Sequence, residues 1–252
     1  MTCQKLNQLN NLRQDDLNLD GLTLFQNPNG YNFTSDSVLL ANFVECKKTD
    51  VCVEIGTGSG VVSILVAHKE KPKKIYAFEM QQSLADLAKL NVEHNKMQEK
   101  IEIIGEKVQF FSNFVENGSV SVVFSNPPYF KNGTCKQNEV PEIANARHEK
   151  FLPLEELACA ASKMLKEGGK FFVVYPASRV CELVQCLQKN RLEPKKMYFV
   201  QPTQNKNANV VLLSATKGGK SGVVVMPTLV TNNLDGEYVQ TIQKLYKNNY
   251  KG

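Results

Sequence analysis

The feature that most constrains the fold is an apolar segment that runs directly into a glycine-rich turn. Val51–Ile55 is followed by Gly56, Gly58 and Gly60, and an apolar helical pattern begins at Val61. Glycine lets a chain turn tightly and lets a ligand approach its backbone. A strand that enters a helix through such a turn presents backbone N–H groups at the carboxyl edge of a sheet, where nucleotides bind. The segment therefore predicts the first βαβ unit of an α/β fold.

The rest of the chain repeats this alternation. Strands are predicted at 22–25, Val51–Ile55, Lys74–Phe78, Ile101–Ile104, 119–124, 170–175, 197–201 and 210–215, and helices over 83–95, 153–165 and 178–189 and from Val61. Ser35 and Asp36 precede another apolar helical run, as an N-cap would, and Gly168 and Gly169 follow the end of the helix at 153–165. The last two strands are joined by a polar loop too short for a helical crossover. The pattern predicts an α/β fold: a doubly wound, mostly parallel Rossmann-like sheet with an antiparallel closing strand pair.

Length and composition exclude several classes of protein. The chain has 252 residues, of which 42% are hydrophobic and 22% charged, as in an ordinary globular domain. Collagen-like and disordered chains have other compositions, and the apolar run at 61–67 is interrupted by Ser63 and far too short for a bilayer. The N-terminus lacks the apolar core of a signal peptide, so a cytoplasmic location is expected. We predict one domain over 1–252, with 1–20 as a flexible accessory segment.

The spacing of cysteine and histidine argues against a disulfide framework and a metal site. The seven cysteines contain no C-x-x-C pair, and an odd number cannot all pair within one chain. The three histidines share no ligand spacing with one another or with the cysteines. No structural zinc and no catalytic metal are therefore expected.

The net charge of +5 collects in the C-terminal third of the chain. From Cys181 onward there are ten Lys and Arg against four Asp and Glu, a net charge of +6, and the preceding residues carry −1. A basic segment on a neutral body suits a polyanionic partner, and it equally suits a solvated lysine surface. Charge alone leaves both interpretations open.

Acidic residues near two predicted strand ends indicate which ligand the glycine turn would bind. Glu54 lies two residues before Gly56, and Val61 stands where a dinucleotide fingerprint has its third small residue. An acid there is unsuited to a pyrophosphate, which disfavours an NAD-dependent oxidoreductase and favours an amino-bearing ligand such as S-adenosylmethionine. Glu79 follows the next strand, where an acid accepts hydrogen bonds from ribose hydroxyls; alone it equally fits a solvated carboxylate. Met80 fits an adenine face, as any apolar residue does.

The most specific motif is Asn126-Pro127-Pro128-Tyr129, directly after a predicted strand. Proline has a fixed φ and no N–H, so the strand stops at the ligand edge and its backbone is rigid. An amino group that donates hydrogen bonds to the Asn126 side-chain oxygen and the Pro127 carbonyl is pulled towards sp³ geometry, and its lone pair then points at an incoming methyl group. Tyr129 offers a face on which a flipped base stacks. The alternative is a Pro-Pro turn that only ends the strand.

Together these motifs resemble the class I S-adenosylmethionine-dependent methyltransferases, in the branch that methylates amino groups and carries N/D-P-P-Y/F. The resemblance covers roughly residues 30–215. Further stretches, at 30–41, 146–149, 206–212 and 217–220 with 235–238, resemble one family, the bacterial tRNA1(Val) adenine-37 N6-methyltransferases. Release-factor and ribosomal RNA methyltransferases resemble the chain only in the core. The resemblance implies methylation of the N6 amino group of a tRNA adenine, with S-adenosylmethionine as the cofactor.

The resemblance also implies roles for individual residues. Catalysis falls to Asn126, Pro127, Pro128 and Tyr129. Cofactor binding falls to a larger set around the glycine turn: Ser35, Asp36, Glu54, Gly56, Thr57, Gly58, Gly60, Glu79, Met80, Glu106 and Asn126. Glu106 departs from the family pattern, which usually has Asp beside the cofactor adenine, and Glu reaches the same amino group with one more methylene.

Candidate substrate contacts come from the N-P-P-Y motif, a scarce arginine and the basic C-terminal part 195–252, which is expected to face RNA. They are Tyr129, Arg147, Lys195, Lys196, Lys206, Lys217 and Lys220. Arg147 equally suits a local salt bridge with Glu142 or Glu149. The expected partner is tRNA, and no membrane is expected. The alternatives are the same chemistry on a DNA adenine, a ribosomal RNA guanine or a protein glutamine, and an RNA-binding module without catalysis.

Overall fold

The computed structural model describes residues 12–17, 19–30, 32–127 and 152–233. The strands are β1 (Arg13–Asp16), β2 (Thr23–Gln26), β3 (Val51–Ile55), β4 (Lys74–Phe78), β5 (Ile101–Ile104), β6 (Val120–Ser125), β7 (Leu165–Pro176), β8 (Leu192–Gln201), β9 (Val210–Lys217), β10 (Val224–Val225) and β11 (Leu229–Val230). The α-helices are α1 (Ser35–Phe43), α2 (Val61–Glu70), α3 (Gln82–His94), α4 (Leu154–Met164) and α5 (Val180–Lys189), with short 3-10 helices at Val108–Asn113 and Ala177–Arg179. Among these helices none has the length and apolar character needed to cross a membrane.

The central sheet of the described ranges has nine strands. Its order is β10-β8-β9-β7-β6-β3-β4-β5, and β11 also pairs with β8. Strands β3 to β7 run parallel to one another, whereas β9 runs antiparallel between β7 and β8. The order reverses between β3 and β6, which is the switch point where a crevice opens in sheets of this kind. The predicted doubly wound sheet with its antiparallel closing pair is confirmed.

Helices cover both faces of this sheet, and alternate residues of each strand pack on opposite faces. Cys52 of β3 packs with α1 and α2 in one core, and Val53 and Ile55 pack with α4 and α5 in the other. A strand buried on both faces is an almost continuous apolar run, which Glu54 alone interrupts in β3. This is why β3, β4 and β6 are visible in the sequence as short apolar runs.

Strands β1 and β2 form a separate antiparallel hairpin. Two asparagines, Asn91 of α3 and Asn95 at the C-cap of that helix, hold β2 through its backbone. Asn91 accepts a hydrogen bond from the Phe25 N–H at 2.7 Å and donates to the Phe25 carbonyl at 3.0 Å. Asn95 makes the same pair of bonds with Thr23, at 3.2 and 2.8 Å. The strand at Arg13–Asp16 lies within the predicted accessory segment 1–20; its residues are polar, so no apolar run marks it, and it is held by its pairing with β2.

Two predicted boundaries are wrong for reasons of backbone pairing. Helix α4 ends at Met164, and β7 already begins at Leu165. Gly168, with a φ of +75°, lies in a bulge of β7 rather than in a helix end, since Leu165 and Lys170 pair with Val120 and Val122. Strand β8 begins at residue 192 instead of 197 and continues through Pro194 by a shift in register.

Candidate active site

The parallel strands beside the switch point end in one row. The last residues of β3, β4, β5 and β6 pair with one another across neighbouring strands. They are Ile55, Phe78, Ile104 and Ser125. The residues that directly follow are Gly56, Glu79, Gly105 and Asn126. The hydroxyl of Ser125 also donates to the Ile55 carbonyl at 2.7 Å. The predicted motifs are therefore brought to one edge of the sheet by the register of the strands.

The glycine turn is held by backbone hydrogen bonds to the neighbouring strand. The N–H groups of Gly56 and Thr57 both donate to the Phe78 carbonyl, at 2.9 and 3.0 Å. Gly56 has a φ of +75°, which favours glycine, and a Cβ placed on it would meet nothing within 4 Å. Gly60, at +88°, starts α2 close to Ala88 of α3. The turn thus leaves open space at the sheet edge beside Gly56.

Glu54 lies beneath this turn, and its side chain is only 1% exposed. Its Oε2 atom accepts hydrogen bonds from the Thr57 hydroxyl at 2.6 Å and the Ser63 N–H at 3.1 Å, and also from the Ser63 hydroxyl. The carboxylate therefore caps the first turn of α2. Burial raises the pKa of Glu54 to about 7, because the hydrogen bonds from Ser63 and Thr57 only partly offset the loss of hydration, and the nearby charge of Glu79 raises the pKa further.

Glu79 lies beside the same turn at the end of β4 and is 6% exposed. Its Oε2 accepts from the Gly58 N–H and its Oε1 from the Gln81 N–H, both at 2.9 Å. Burial raises the pKa of this carboxyl as well, against the effect of the backbone hydrogen bonds. Half-buried Met80 follows it. Both buried acids thus accept a hydrogen bond from a residue of the glycine turn, Glu54 from Thr57 and Glu79 from Gly58.

Glu106 follows β5 at the same edge and is exposed. Its carboxylate accepts a hydrogen bond from the Lys107 N–H at 2.8 Å, directly before the 3-10 helix Val108–Asn113. Its predicted contact with the cofactor adenine stays a prediction.

Asn126 and Pro127 lie where β6 ends. The side-chain Nδ2 of Asn126 donates to the hydroxyl of Ser37, on α1, at 3.0 Å. Sequence analysis missed Ser37, although it lies in the stretch 30–41 that carries the family resemblance. Pro128, Tyr129 and Arg147 lie outside the described residues, so their predicted roles stay predictions.

Helix α1 begins one residue earlier than the predicted cap requires. Its N-cap is Thr34, whose side chain makes no capping hydrogen bond, so the prediction that Ser35 and Asp36 form the cap is wrong. Asp36 lies in the first turn, where the helix dipole stabilises a negative charge. The contact of Ser37 with Asn126 brings this first turn to the sheet edge. The cofactor role of Ser35 and Asp36 stays a prediction.

Comparison with known proteins agrees with this geometry. Residues 32–193, more than half of the chain, match the family model of the methyltransferase small domain. The chain belongs to this family. It is an S-adenosylmethionine-dependent methyltransferase, as the motifs predicted.

Curated relatives of this methyltransferase include two proteins named tRNA1(Val) (adenine(37)-N6)-methyltransferase. The one from Porphyromonas gingivalis is 25% identical over 209 residues, which are 79% of this chain and 81% of the relative. The one from Photobacterium profundum is 25% identical over 189 residues, which are 74% of this chain and 78% of the relative. The family resemblance drawn from the motifs is confirmed.

Solved structures of methyltransferases share the fold. A predicted O-methyltransferase from Agrobacterium tumefaciens superposes with a TM-score of 0.69 at 17% identity, covering 85% of this chain and 96% of that one. The M. jannaschii TYW2 structure, in complex with AdoMet, has a TM-score of 0.56 at 13% identity and covers 81% of this chain and 85% of its own. At these identities the likeness shows the fold.

The residues at the sheet edge of this methyltransferase fit S-adenosylmethionine. The glycine turn leaves space beside Gly56, and Glu79 places a buried carboxylate next to it, suited to ribose hydroxyls. Within the part of the chain that the structure describes, no three His, Cys, Asp or Glu side chains converge as a metal site requires. The turn, Glu79 and the end of β6 are the groups that would hold the cofactor.

The predicted RNA-binding lysines are divided between opposite edges of the sheet. Lys206 lies between β8 and β9, at the edge where β7 ends, since Pro176 pairs with Val210. Lys217 ends β9 at the other edge, and its ammonium donates to the Leu165 carbonyl at 2.7 Å. Lys220 follows it there. The strand register therefore places Lys206 at the opposite edge of the sheet from Lys217 and Lys220, which the charge pattern had grouped with it.

Lys195 and Lys196 lie on β8, part-way along the sheet, and both have local partners. The Lys195 ammonium donates to the carbonyls of Lys220 and Gly222. Lys196 pairs with Glu45 at 3.3 Å, and both side chains are exposed. An RNA phosphate would have to compete with these partners. Their contact with RNA stays a prediction.

Proposed function

We propose that this methyltransferase transfers a methyl group to the N6 amino group of adenine 37 in tRNA1(Val). The observation that carries the proposal is the position of Asn126 and Pro127, directly after the Ser125–Ile55 pair, while Ile55 leads into the glycine turn. The names of the curated relatives and their coverage of about four fifths of both chains support the choice of tRNA adenine.

The chemistry follows from the two oxygen acceptors that this motif provides. The amino nitrogen of adenine is a poor nucleophile because its lone pair is delocalised into the ring. Hydrogen bonds from its two N–H groups to the Asn126 Oδ1 and the Pro127 carbonyl favour the pyramidal nitrogen, whose lone pair is free to attack. S-adenosylmethionine, when bound, would supply the electrophilic methyl carbon and would keep the electron pair of the broken S–C bond on its sulfur. One proton then leaves the methylated nitrogen to water.

The amino group reaches these acceptors only when the base leaves its stack. Enzymes that modify a base rotate it out of the nucleic acid and pay the unstacking energy with contacts in the pocket. Tyr129 follows the two prolines and offers an aromatic face for the flipped adenine. Lys206, at the same edge of the sheet, is suited to a phosphate of the flanking RNA.

Transfer of a labelled methyl group tests the proposal directly. Wild-type protein is incubated with S-adenosylmethionine and unmodified tRNA1(Val), with DNA and a protein extract as parallel acceptors, and the labelled nucleosides are identified. Label in N6-methyladenosine at position 37 is the expected result. Label only in DNA or protein would overturn the choice of tRNA, and cofactor binding without any transfer would indicate a binding module.

Asn126→Ala is the matched variant for the mechanism. It should reduce transfer at least a thousandfold while the affinity for S-adenosylmethionine changes only a few-fold, because the side chain acts on the amino group. Asn190→Ala is the control, since Asn190 ends α5 and hydrogen-bonds Glu155 away from the site. A loss of cofactor binding in Asn126→Ala that accounts for the whole loss of activity would contradict the assigned role.

A further inference from the structure

The side-chain amide of Asn126 has a partner that neither the motif nor the family resemblance predicts. Its Nδ2 lies 3.0 Å from the Oγ of Ser37, a residue 89 positions earlier in the chain. Ser37 is on the first turn of α1 and is 3% exposed. The contact exists only because α1 packs against the sheet beside the end of β6.

The contact matters because the two ends of an amide are chemically opposite. The Oδ1 end accepts a hydrogen bond from the substrate amino group. The Nδ2 end carries only N–H donors, which would face the N–H groups of the substrate without an acceptor between them. The terminal torsion of asparagine is broad and roughly two-fold, so side-chain shape alone does not favour one end. In the productive orientation the Nδ2–H groups point away from the substrate and need an acceptor. The Ser37 hydroxyl is that acceptor.

We propose that Ser37 is a positioning residue for the methyl transfer, which it supports by stabilising the orientation of Asn126 with Oδ1 towards the amino group. The inference rests on the proposed function of the N-P-P-Y motif. Without the hydroxyl, Asn126 loses the hydrogen bond that ties its amide to α1 in the productive orientation. The population of that orientation, and with it the rate of transfer, then falls by about tenfold, as for the loss of one ordinary hydrogen bond.

Kinetics of Ser37→Ala separate positioning from binding. With both substrates saturating, the single-turnover rate should fall about tenfold, and the dissociation constants of S-adenosylmethionine and tRNA should stay within twofold of wild type. Ser214→Ala removes another buried serine hydroxyl, on β9, and should leave the rate unchanged. An unchanged rate in Ser37→Ala would overturn the inference. So would a loss that disappears at saturating substrate, since α1 would then act in binding.

A spectroscopic measurement tests the contact independently of the reaction. The side-chain NH2 signals of Asn126 are assigned in a ¹⁵N-labelled sample by their disappearance in Asn126→Asp. In Ser37→Ala they should move towards the values of a free amide, while the signals of Asn91, which is held by other groups, stay in place. Unmoved Asn126 signals would overturn the inference even if tRNA were not the substrate. Absence of methyl transfer in the wild type would instead contradict the proposed function, so the two failures are distinguishable.

Discussion

The buried carboxyl of Glu54 makes the stability of the free protein depend on pH in an unusual direction. Burial raises its pKa from 4.5 to about 7 in the folded state. Between these two values the folded protein binds more protons than the unfolded chain. Stability therefore falls as pH rises through this window, the opposite of the effect of a carboxylate stabilised by a salt bridge. Glu79, whose pKa is also raised by burial, contributes in the same direction.

Glu54→Gln isolates this contribution, because the amide oxygen can still accept hydrogen bonds from Thr57 and Ser63 but carries no charge. The difference between a pKa of 4.5 and one of about 7 corresponds to about 3 kcal/mol, at about 1.4 kcal/mol for each pH unit. We expect the variant to gain about 2–3 kcal/mol relative to wild type between pH 5 and pH 8.

Urea unfolding of both proteins at a series of pH values measures this gain as a difference of two free energies. Effects of all other titrating groups cancel in the difference as long as they are unchanged by the substitution. A difference that does not vary with pH, or one that moves in favour of the wild type as pH rises, would refute the reasoning. It would mean that the hydrogen bonds of Thr57 and Ser63 compensate fully for burial of the charge.

Other parts of the structure allow shorter predictions. Asn91→Leu should lower the free energy of unfolding by roughly 2–4 kcal/mol in a urea titration, because it leaves both backbone groups of Phe25 and the Ser59 carbonyl without a partner. Gly60→Ala should cost about 1–2 kcal/mol by the same measurement, because a φ of +88° strains any residue with a Cβ. Lys206→Ala should weaken tRNA binding and reduce the slope of log affinity against log salt by about 1, whereas Lys163→Ala, at the end of α4, should not.

The strands that the sequence marks most clearly are those buried on both faces of the sheet. Strands β3 to β6 are apolar runs because helices cover both faces of the sheet, and such runs need no knowledge of the partner. Strand β1 could not be predicted, since Arg13–Asp16 is polar and depends on its pairing with β2. The boundary between α4 and β7 could not be predicted either, because Gly168 fits a helix end and a bulge equally well, and only pairing with β6 decides between them.

The candidate site likewise combines residues that a local sequence pattern identifies with residues that only tertiary packing brings together. The glycine turn, Glu79 and Asn126 are each adjacent to a strand end, so a correct reading of the strands places them together. Ser37 could not be assigned, because its contact with Asn126 depends on how α1 packs against the sheet. Charge grouped Lys206 with Lys217, and the antiparallel direction of β9 places them at opposite edges.

Glu54 shows how packing adds to what the position of a residue in the sequence indicates. Its position before the glycine turn predicted an acid that faces a ligand, which stays a prediction, and in the structure its Oε2 accepts hydrogen bonds from Thr57 and Ser63. Despite these hydrogen bonds, burial of the ionised Glu54 carboxylate still destabilises the fold, since its pKa remains raised and Glu79 is nearby. Two buried acids that repel each other around an open turn destabilise the free protein. A cationic ligand at the turn would relieve that repulsion, so the same arrangement that weakens the free fold favours binding of a positively charged cofactor.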